Sequence, residues 1–461
     1  MPGGPALDAP AEPPQPARAA SLVPPRHTRV LVIGGGLTGV ATGARLAAAG
    51  VQCDVLEAHR TLGGCSGYFR RSGFAFDVGA TTLVDYTPGG AGDVMLEAIG
   101  VRDANLEHLS GYTAWIGEHR FDLPADPVAW RVSRARALGD TPGHQRFWRL
   151  MDDVGAVFWA ASRRSPRLPF RGVGDLVRAA RTIPLSHWPA LRYLNWTVGD
   201  ALRHAGLERD TLLRGFLAMV VEDTVHGQVD TAPLVNASLG VAIRGAISRP
   251  LGGMYGLWTA IERRAFELGV GLHRSTSVER ITVASGAGSP RFRVQTQRGE
   301  WTADVLVSTV PIWNTAELAP GPIAEALRPW CERDEKSLGG AALLTLGVPE
   351  DEVADHPLTH HQFLPEPSRP LGAGNNCFLS ISSPGDELSA PPGHRAAMVT
   401  THIDLADWEG LDEAGYDRAK RALEERLLSI VRRAYPRLGT SARWTSVGTP
   451  RTYASFTRRY R

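Results

Sequence analysis

Lysine is almost missing from this chain: Lys336 and Lys420 are the only two, and arginine supplies nearly all the positive charge. Fifty basic residues face 48 acidic ones for a formal charge of +2, so there is no net basic field of the kind that marks a nucleic-acid binder. Cysteine is scarce as well. Cys53, Cys65, Cys331 and Cys377 form no C-x-x-C pair and stand near no histidine cluster, which argues against both a zinc site and a disulfide framework. No stretch of eighteen apolar residues occurs, so no membrane-spanning helix is predicted. No basic amphipathic segment stands out as a surface anchor, and there is no internal repeat. Residues 1–27 are rich in Pro and Ala but lack the basic start and apolar run of a secretory signal. They read as a disordered leader on a cytoplasmic protein.

At 461 residues, 43% hydrophobic and 21% charged, the chain has the composition and length for two or three globular domains. Residues 29–33 form a short apolar run typical of a buried parallel strand. Residues 37–49 follow with helical apolar spacing that ends at Gly50, and residues 51–56 give a second strand. The whole is a βαβ unit. Between strand and helix stand Gly34, Gly36 and Gly39 in the order G-x-G-x-x-G. The first glycine permits the tight turn, the second lets a pyrophosphate approach the backbone, and the third lets helix and strand pack closely. Gly43 continues that contact one helical turn on. With Gly35, Leu37 and Thr38, these residues put bare amide groups and the positive end of the helix dipole in front of a diphosphate. Glu57 ends the second strand, where a carboxylate meets the ribose hydroxyls and repels a 2′-phosphate. Dinucleotide binding without NADP is the expectation.

A second glycine cluster, Thr61-Leu62-Gly63-Gly64-Cys65-Ser66-Gly67, follows soon after that acid, and Gly73-Phe74-Ala75-Phe76-Asp77-Val78-Gly79-Ala80-Thr81 comes next. Here the chain resembles the FAD-dependent amine oxidase and phytoene desaturase superfamily. The resemblance places Gly63 and Gly64 near pyrophosphate and ribityl, and Gly79 on the segment that runs to the flavin ring. It extends to Pro250-Leu251-Gly252-Gly253-Met254 and to Val278-Glu279-Arg280-Ile281, where the backbone of Val278 would meet adenine. Cys65 stands where amine oxidases usually carry arginine. His360-His361-Gln362, Ser380-Ile381-Ser382-Ser383-Pro384 and residues 390–395 are similar to segments of bacterial carotenoid 3′,4′-desaturases. The resemblance therefore implies FAD as cofactor and a Rossmann-type FAD-binding domain with an inserted α+β substrate domain. A lipophilic polyene or isoprenoid is the implied substrate, and bilayer contact, if present, would be peripheral.

Five segments follow from this reading: FAD binding by residues 28–111 and 250–316, a substrate domain from residues 112–249 (mostly helical) and 317–440 (sheet plus helix), and a return to the FAD domain from residue 441. Relatives continue past the segment matching Gly448-Thr449-Pro450-Arg451-Thr452-Tyr453 to a Gly-Asp motif that the sequence ending at Arg461 does not contain. Weak FAD binding is the expectation for that reason. No catalytic side chain is assigned. Hydride removal from a polyene needs an acceptor and a dry tunnel more than a charged base, and no paired acids, cysteine-histidine arrangement or nucleophile elbow is present. His226, His360, His361 and His394 read as structural, and Lys336 as part of a solvated charge run. Trp148, Trp159, Trp188 and Trp196 read as helical core first and tunnel lining second, as do Phe216, Leu217, Met219 and Val220. Polyene cis-trans isomerisation, retinoid-type saturation and a non-catalytic isoprenoid binder remain as alternatives to desaturation.

Overall fold

The computed structural model describes residues 25–162, 172–284, 290–335 and 338–458. Lys336 and residues 1–24 of the expected leader lie outside them. The opening crossover is β1 (Arg26–Ile33), α1 (Leu37–Ala48) and β2 (Cys53–Leu56). β1 thus begins inside the segment read as leader, because Arg26 and His27 pair with Trp301 and Thr302 of a neighbouring strand. The chain continues through β3 (Tyr68–Arg71), β4 (Phe74–Asp77), β5 (Leu83–Val84), α2 (Ala91–Ile99) and β6 (Leu106–His108). A lobe follows: β7 (Gly111–Ile116), β8 (His119–Pro124), α3 (Pro127–Leu138), α4 (Pro142–Ser162), α5 (Val173–Thr182), α6 (Val198–Ala205), α7 (Thr211–Val225) and α8 (Leu234–Ala242). β9 (Ile247–Pro250) leads back into α9 (Gly253–Glu267), β10 (Gly271–His273), β11 (Val278–Val283), β12 (Phe292–Thr296), β13 (Gly299–Ser308), α10 (Ile312–Leu318) and α11 (Pro322–Asp334). The last part comprises β14 (Gly340–Pro349), β15 (His360–Leu364), β16 (Cys377–Ile381), β17 (His394–Ile403), α12 (Glu413–Val431), β18 (Trp444–Gly448) and α13 (Pro450–Thr457).

Two large sheets organise these elements. The first runs β10-β2-β1-β13-β12-β11. Its four strands β10, β2, β1 and β13 are parallel, and β12 and β11 are appended antiparallel. Val40 and Ala44 of α1 pack here with Leu257, Trp258 and Ile261 of α9. The second runs β18-β14-β17-β16-β15-β7-β8 and is antiparallel except where β7 lies parallel to β15. Leu423, Leu427, Ile430 and Val431 of α12 cover one face. That helix ends at Val431, short of Pro436, and Ala434 and Tyr435 finish the cover as a turn.

Three boundaries differ from the sequence reading. The helical lobe opens on the β7–β8 hairpin, whose alternating residues extend the second sheet. The apolar run at residues 304–310 predicts a strand there, and β13 spans residues 299–308 instead, because its first half closes a hairpin with β12. β18, expected to start a return to the FAD domain, instead pairs with β14 at the edge of the second sheet. Beyond it, α13 crosses to the second glycine cluster, where Phe456 meets His59 and Tyr453 meets Val78. The exposed surface also departs from expectation. Val173, Val177, Leu185, Trp188 and Leu194 are exposed beside exposed Arg181 and Arg192, an apolar and basic patch that sequence spacing alone does not reveal. Trp188 is therefore a surface residue.

Candidate functional site

The site is built first from backbone. β1 ends at Ile33, and Gly34 turns the chain with φ +101°, a conformation open to glycine at little cost. Thr309 pins the turn by donating its hydroxyl to the carbonyls of Ile33 (2.9 Å) and Gly34 (3.1 Å). A Cβ on Gly39 would fall on the Gly34 carbonyl, so the third glycine sets the approach of helix to turn. Gly36 is different. It caps α1 with no side-chain cap, no acid stands in the first helical turn, and a Cβ there would meet nothing nearer than Gly63 O at 3.9 Å. The second glycine cluster lies against it: Gly63 N–H donates to Gly35 O at 2.9 Å, and a Cβ on Gly64 would find only Gly36 Cα, at 3.4 Å. Leu37 and Thr38 begin the helix from this open surface.

Glu57 closes one end. Its two oxygens accept the N–H groups of Gly35 and His59, each at 2.7 Å, and its backbone is held by His273 O and Thr276 N. Val278 starts β11 just beyond Thr276. The His59 ring packs on Phe456 of α13, with centroids 4.2 Å apart, and burial holds its imidazole below the usual pKa. At the other end Gly79 lies so near Cys65 that a Cβ would be 2.7 Å from the Cys65 carbonyl. Tyr453 of α13 donates to Val78 O at 2.6 Å.

Behind this segment lies a polar group that sequence reasoning missed. Arg249 and Asp77, both 1% exposed, pair at 2.9 Å. The same Arg249 Nη1 donates to Thr81 O at 2.9 Å, and Asp77 accepts the Met254 N–H at 2.8 Å. Burial raises the Asp77 carboxyl, while Arg249 and the Met254 N–H pull it back. Ser380 Oγ, 3.5 Å from Arg249, is also 2.8 Å from His360 Nε2. β15 is interior rather than at an edge, so its two histidines face opposite sides. His360 joins this cluster and is held neutral chiefly by burial. His361 bonds Tyr435 OH at 2.9 Å and Leu358 O at 3.0 Å, and burial lowers its pKa to about 3. His226 caps α7 and stacks on His402. The available signal for the buried pair is a charged residue at the end of the fully buried strand Phe74–Asp77.

The helical lobe holds a cavity of about 290 Å³, lined among others by Leu123, Trp130, Met151, Trp159, Val241 and Arg244. Trp159 therefore lines a cavity. Trp148, Phe216, Leu217, Met219 and Val220 are core, and Trp196 packs at its margin. Among the described residues no group of three His, Cys, Asp or Glu side chains converges on a metal site, and no helix is long and apolar enough to cross a membrane.

A parallel sheet carrying the glycine turn, joined to a second sheet under a helical lobe, defines a flavin-dependent oxidoreductase fold. The family profile for flavin containing amine oxidoreductases matches residues 200–460, and one for NAD(P)-binding Rossmann-like domains matches residues 32–96. The chain belongs to the flavin containing amine oxidoreductase family and is an oxidoreductase of that type. Within it, the relatives are those of the phytoene desaturase and carotenoid isomerase branch. Prolycopene isomerase 1 of an Oncidium hybrid is 26% identical over 92% of this chain and 73% of its own length. The 4,4′-diapolycopene oxygenase of Methylomonas is 25% identical over 87% and 80%, and the lycopene-forming phytoene desaturase of Pseudescherichia vulneris is 24% identical over 88% and 83%. An oxidoreductase from Methanosarcina mazei superposes with TM-score 0.63 at 16% identity, covering 91% of this chain and 87% of that one. A putrescine oxidase bound to putrescine gives 0.59 at 13%, covering 92% and 85%. These two show the fold.

Proposed function

We propose that the chain binds FAD and oxidises a lipophilic polyene, a carotenoid-type isoprenoid, by desaturation. One observation carries the cofactor reading: two glycine loops face each other across a surface of bare backbone at an uncapped helix N-terminus, and a carboxylate stands at its end. The residues fit a dinucleotide. Gly34, Gly35, Gly36, Leu37, Thr38 and Gly39 would receive the diphosphate through N–H groups and the helix dipole. Gly63 and Gly64 would face pyrophosphate and ribityl, and Gly79 the ring. Glu57 keeps lone pairs for sugar hydroxyls beyond the two N–H groups it already accepts, and Val278 would offer its backbone to adenine.

FAD held by these residues would supply the hydride acceptor for the substrate. The chain's own contribution is exclusion of water and placement. Arg249 and Asp77 neutralise each other, so the floor beside Thr81 presents no net charge to a hydrocarbon. His360, bonded to Ser380 and kept neutral by burial, likewise adds no charge to that floor. Peripheral contact with a bilayer, from which such a substrate would come, is supported by the apolar and basic patch on α5 and residues 185–194.

Isomerisation is the second reading, favoured by the identity to prolycopene isomerases across most of the chain. Supplying phytoene to the protein loaded with oxidised flavin, and prolycopene to the protein with its flavin reduced by dithionite, both without oxygen, separates the two. Desaturation bleaches the flavin and moves the polyene absorption to the red with loss of two hydrogens. Isomerisation changes retention at constant mass, and saturation shortens conjugation. If neither the flavin nor any polyene changes, the proposed activity is excluded.

A further inference from the structure

The cavity in the helical lobe is apolar on most of its wall, yet a buried guanidinium lines it. At about 290 Å³ it lies at the lower limit of ligand pockets, with room for one end of a long chain rather than a whole one. Three arginines line it, Arg131, Arg134 and Arg244, and the last two differ in how they are held. Arg134 is fully engaged: it grips Asp152 with two bonds, 2.9 and 2.7 Å, and lies 4.7 Å over Trp148. Arg244 is not. Its side chain is 10% exposed. Nη1 donates to Tyr112 OH and to Gln362 Oε1 at 3.3 Å, and Nη2 reaches Asp223 Oδ2 only at 3.4 Å. Nε is buried with no acceptor at all. A buried, unsatisfied donor on a charged group is costly, and the free Nε beside a loosely held Nη2 is the edge with which a guanidinium grips a carboxylate by two parallel bonds.

We propose, building on the polyene reading above, that this cavity receives the carboxylate end of an apolar isoprenoid, held side-on by Arg244 between Trp130 and Trp159. The substrate class becomes a polyene acid rather than a pure hydrocarbon. Placement agrees. Gln362, which touches Arg244, lies on the same face of β15 as His360, one pleat repeat of about 7 Å away, and His360 joins the cluster beside Thr81 through Ser380. Electrostatics also agrees. Burial, with Glu222 adjacent, raises Asp223 to about 7, and burial lowers Arg244 to about 9. The groups facing the pair are Glu222, His402, Gln362, Asn376 and Tyr112. Near neutral pH Asp223 is then only a partial counter-charge, and the arginine has use for another.

The test is binding, read without turnover. All-trans-retinoic acid and its methyl ester are titrated into the purified full chain, following quenching of tryptophan fluorescence. The acid should bind at least 10-fold tighter than the ester. Arg244→Met should bring the two within 2-fold, Arg244→Lys should keep an intermediate preference, and Ala242→Phe, which narrows the cavity away from the polar cluster, should weaken both ligands. Equal affinities in the unaltered chain, or an acid preference that survives Arg244→Met, overturn the proposal. If Arg244→Met does not fold, Arg244→Lys and Ala242→Phe decide it: an unchanged preference in the first and unchanged affinities in the second refute it. Turnover of a hydrocarbon carotene with no acid preference would refute this inference and leave the oxidoreductase reading intact. An acid preference without flavin bleaching by any polyene would do the reverse.

Discussion

The glycine crevice and the lobe cavity are made of opposite materials. Backbone makes the crevice: Gly36 and Gly64 contribute by having no side chain, and its single essential side-chain charge, Glu57, is tied to the turn it serves. Side chains make the cavity: tryptophans, a methionine and an arginine arrive from β8, α3, α4 and the turn after α8. A site made of backbone fixes a shape common to all ligands with a diphosphate. A site made of side chains is free to specify one.

The largest effect is expected between the two regions. Arg249→Met leaves Asp77 buried and unpaired, which costs about 3–5 kcal/mol. Urea denaturation should show it, with part recovered when Asp77→Asn is added. A loss below 1 kcal/mol would mean the pair is not closed off from water. Gly36→Val tests whether the crevice is a vacancy kept open by glycine. Its φ of −71° suits any residue and its Cβ meets nothing within 3.4 Å. Melting should hardly move, therefore, while flavin affinity falls roughly 100-fold, about 2.7 kcal/mol. Equal loss of fold and flavin would break the contrast. Glu57→Gln should weaken flavin about 10-fold, near 1.4 kcal/mol, measured by equilibrium release of the cofactor.

The smallest effect belongs to the cavity side and depends on pH. Desolvation and the neighbouring Glu222 push the Asp223 carboxyl up from 3.8 to about 7, although 32% of its side chain is exposed. The folded chain therefore keeps this proton to higher pH than the unfolded one. The associated stability is complete below about pH 4 and is lost as pH rises through about 7. Asp223→Asn, which never ionises, should gain in melting temperature over the unaltered chain at pH 8 relative to pH 5. A difference independent of pH would count against a raised Asp223 carboxyl.

Legibility follows the same division. Gly34, Gly36 and Gly39 announce themselves because their spacing is local and each residue has one physical reason to be glycine. The alternation of residues 292–296 and the turn after them predict a strand within one short window, and β12 occupies those residues. Arg249 is silent: its partner Asp77 stands 172 residues away, and nothing near either shows that they meet. The parallel pairing of β7 with β15 is equally hidden, which is why the lobe reads as helical from its first residue when it opens on strands of the second sheet. β18 reads as a return to the first sheet because five half-buried residues do not say which edge they will join. Trp188 and Trp159 have similar sequence surroundings, yet one is on the surface and the other lines a cavity. Tertiary packing alone separates them.

The Asp77–Arg249 pair also limits how the molecule can breathe. Ions sealed at 1% exposure have no water waiting to replace either partner, so parting β4 from β9 is an all-or-none event close to global unfolding. Slow amide exchange at Met254, whose N–H ends on the same carboxylate, would report this. The segment beside Thr81, fixed by the same pair, therefore exchanges with solvent no faster than the whole chain unfolds.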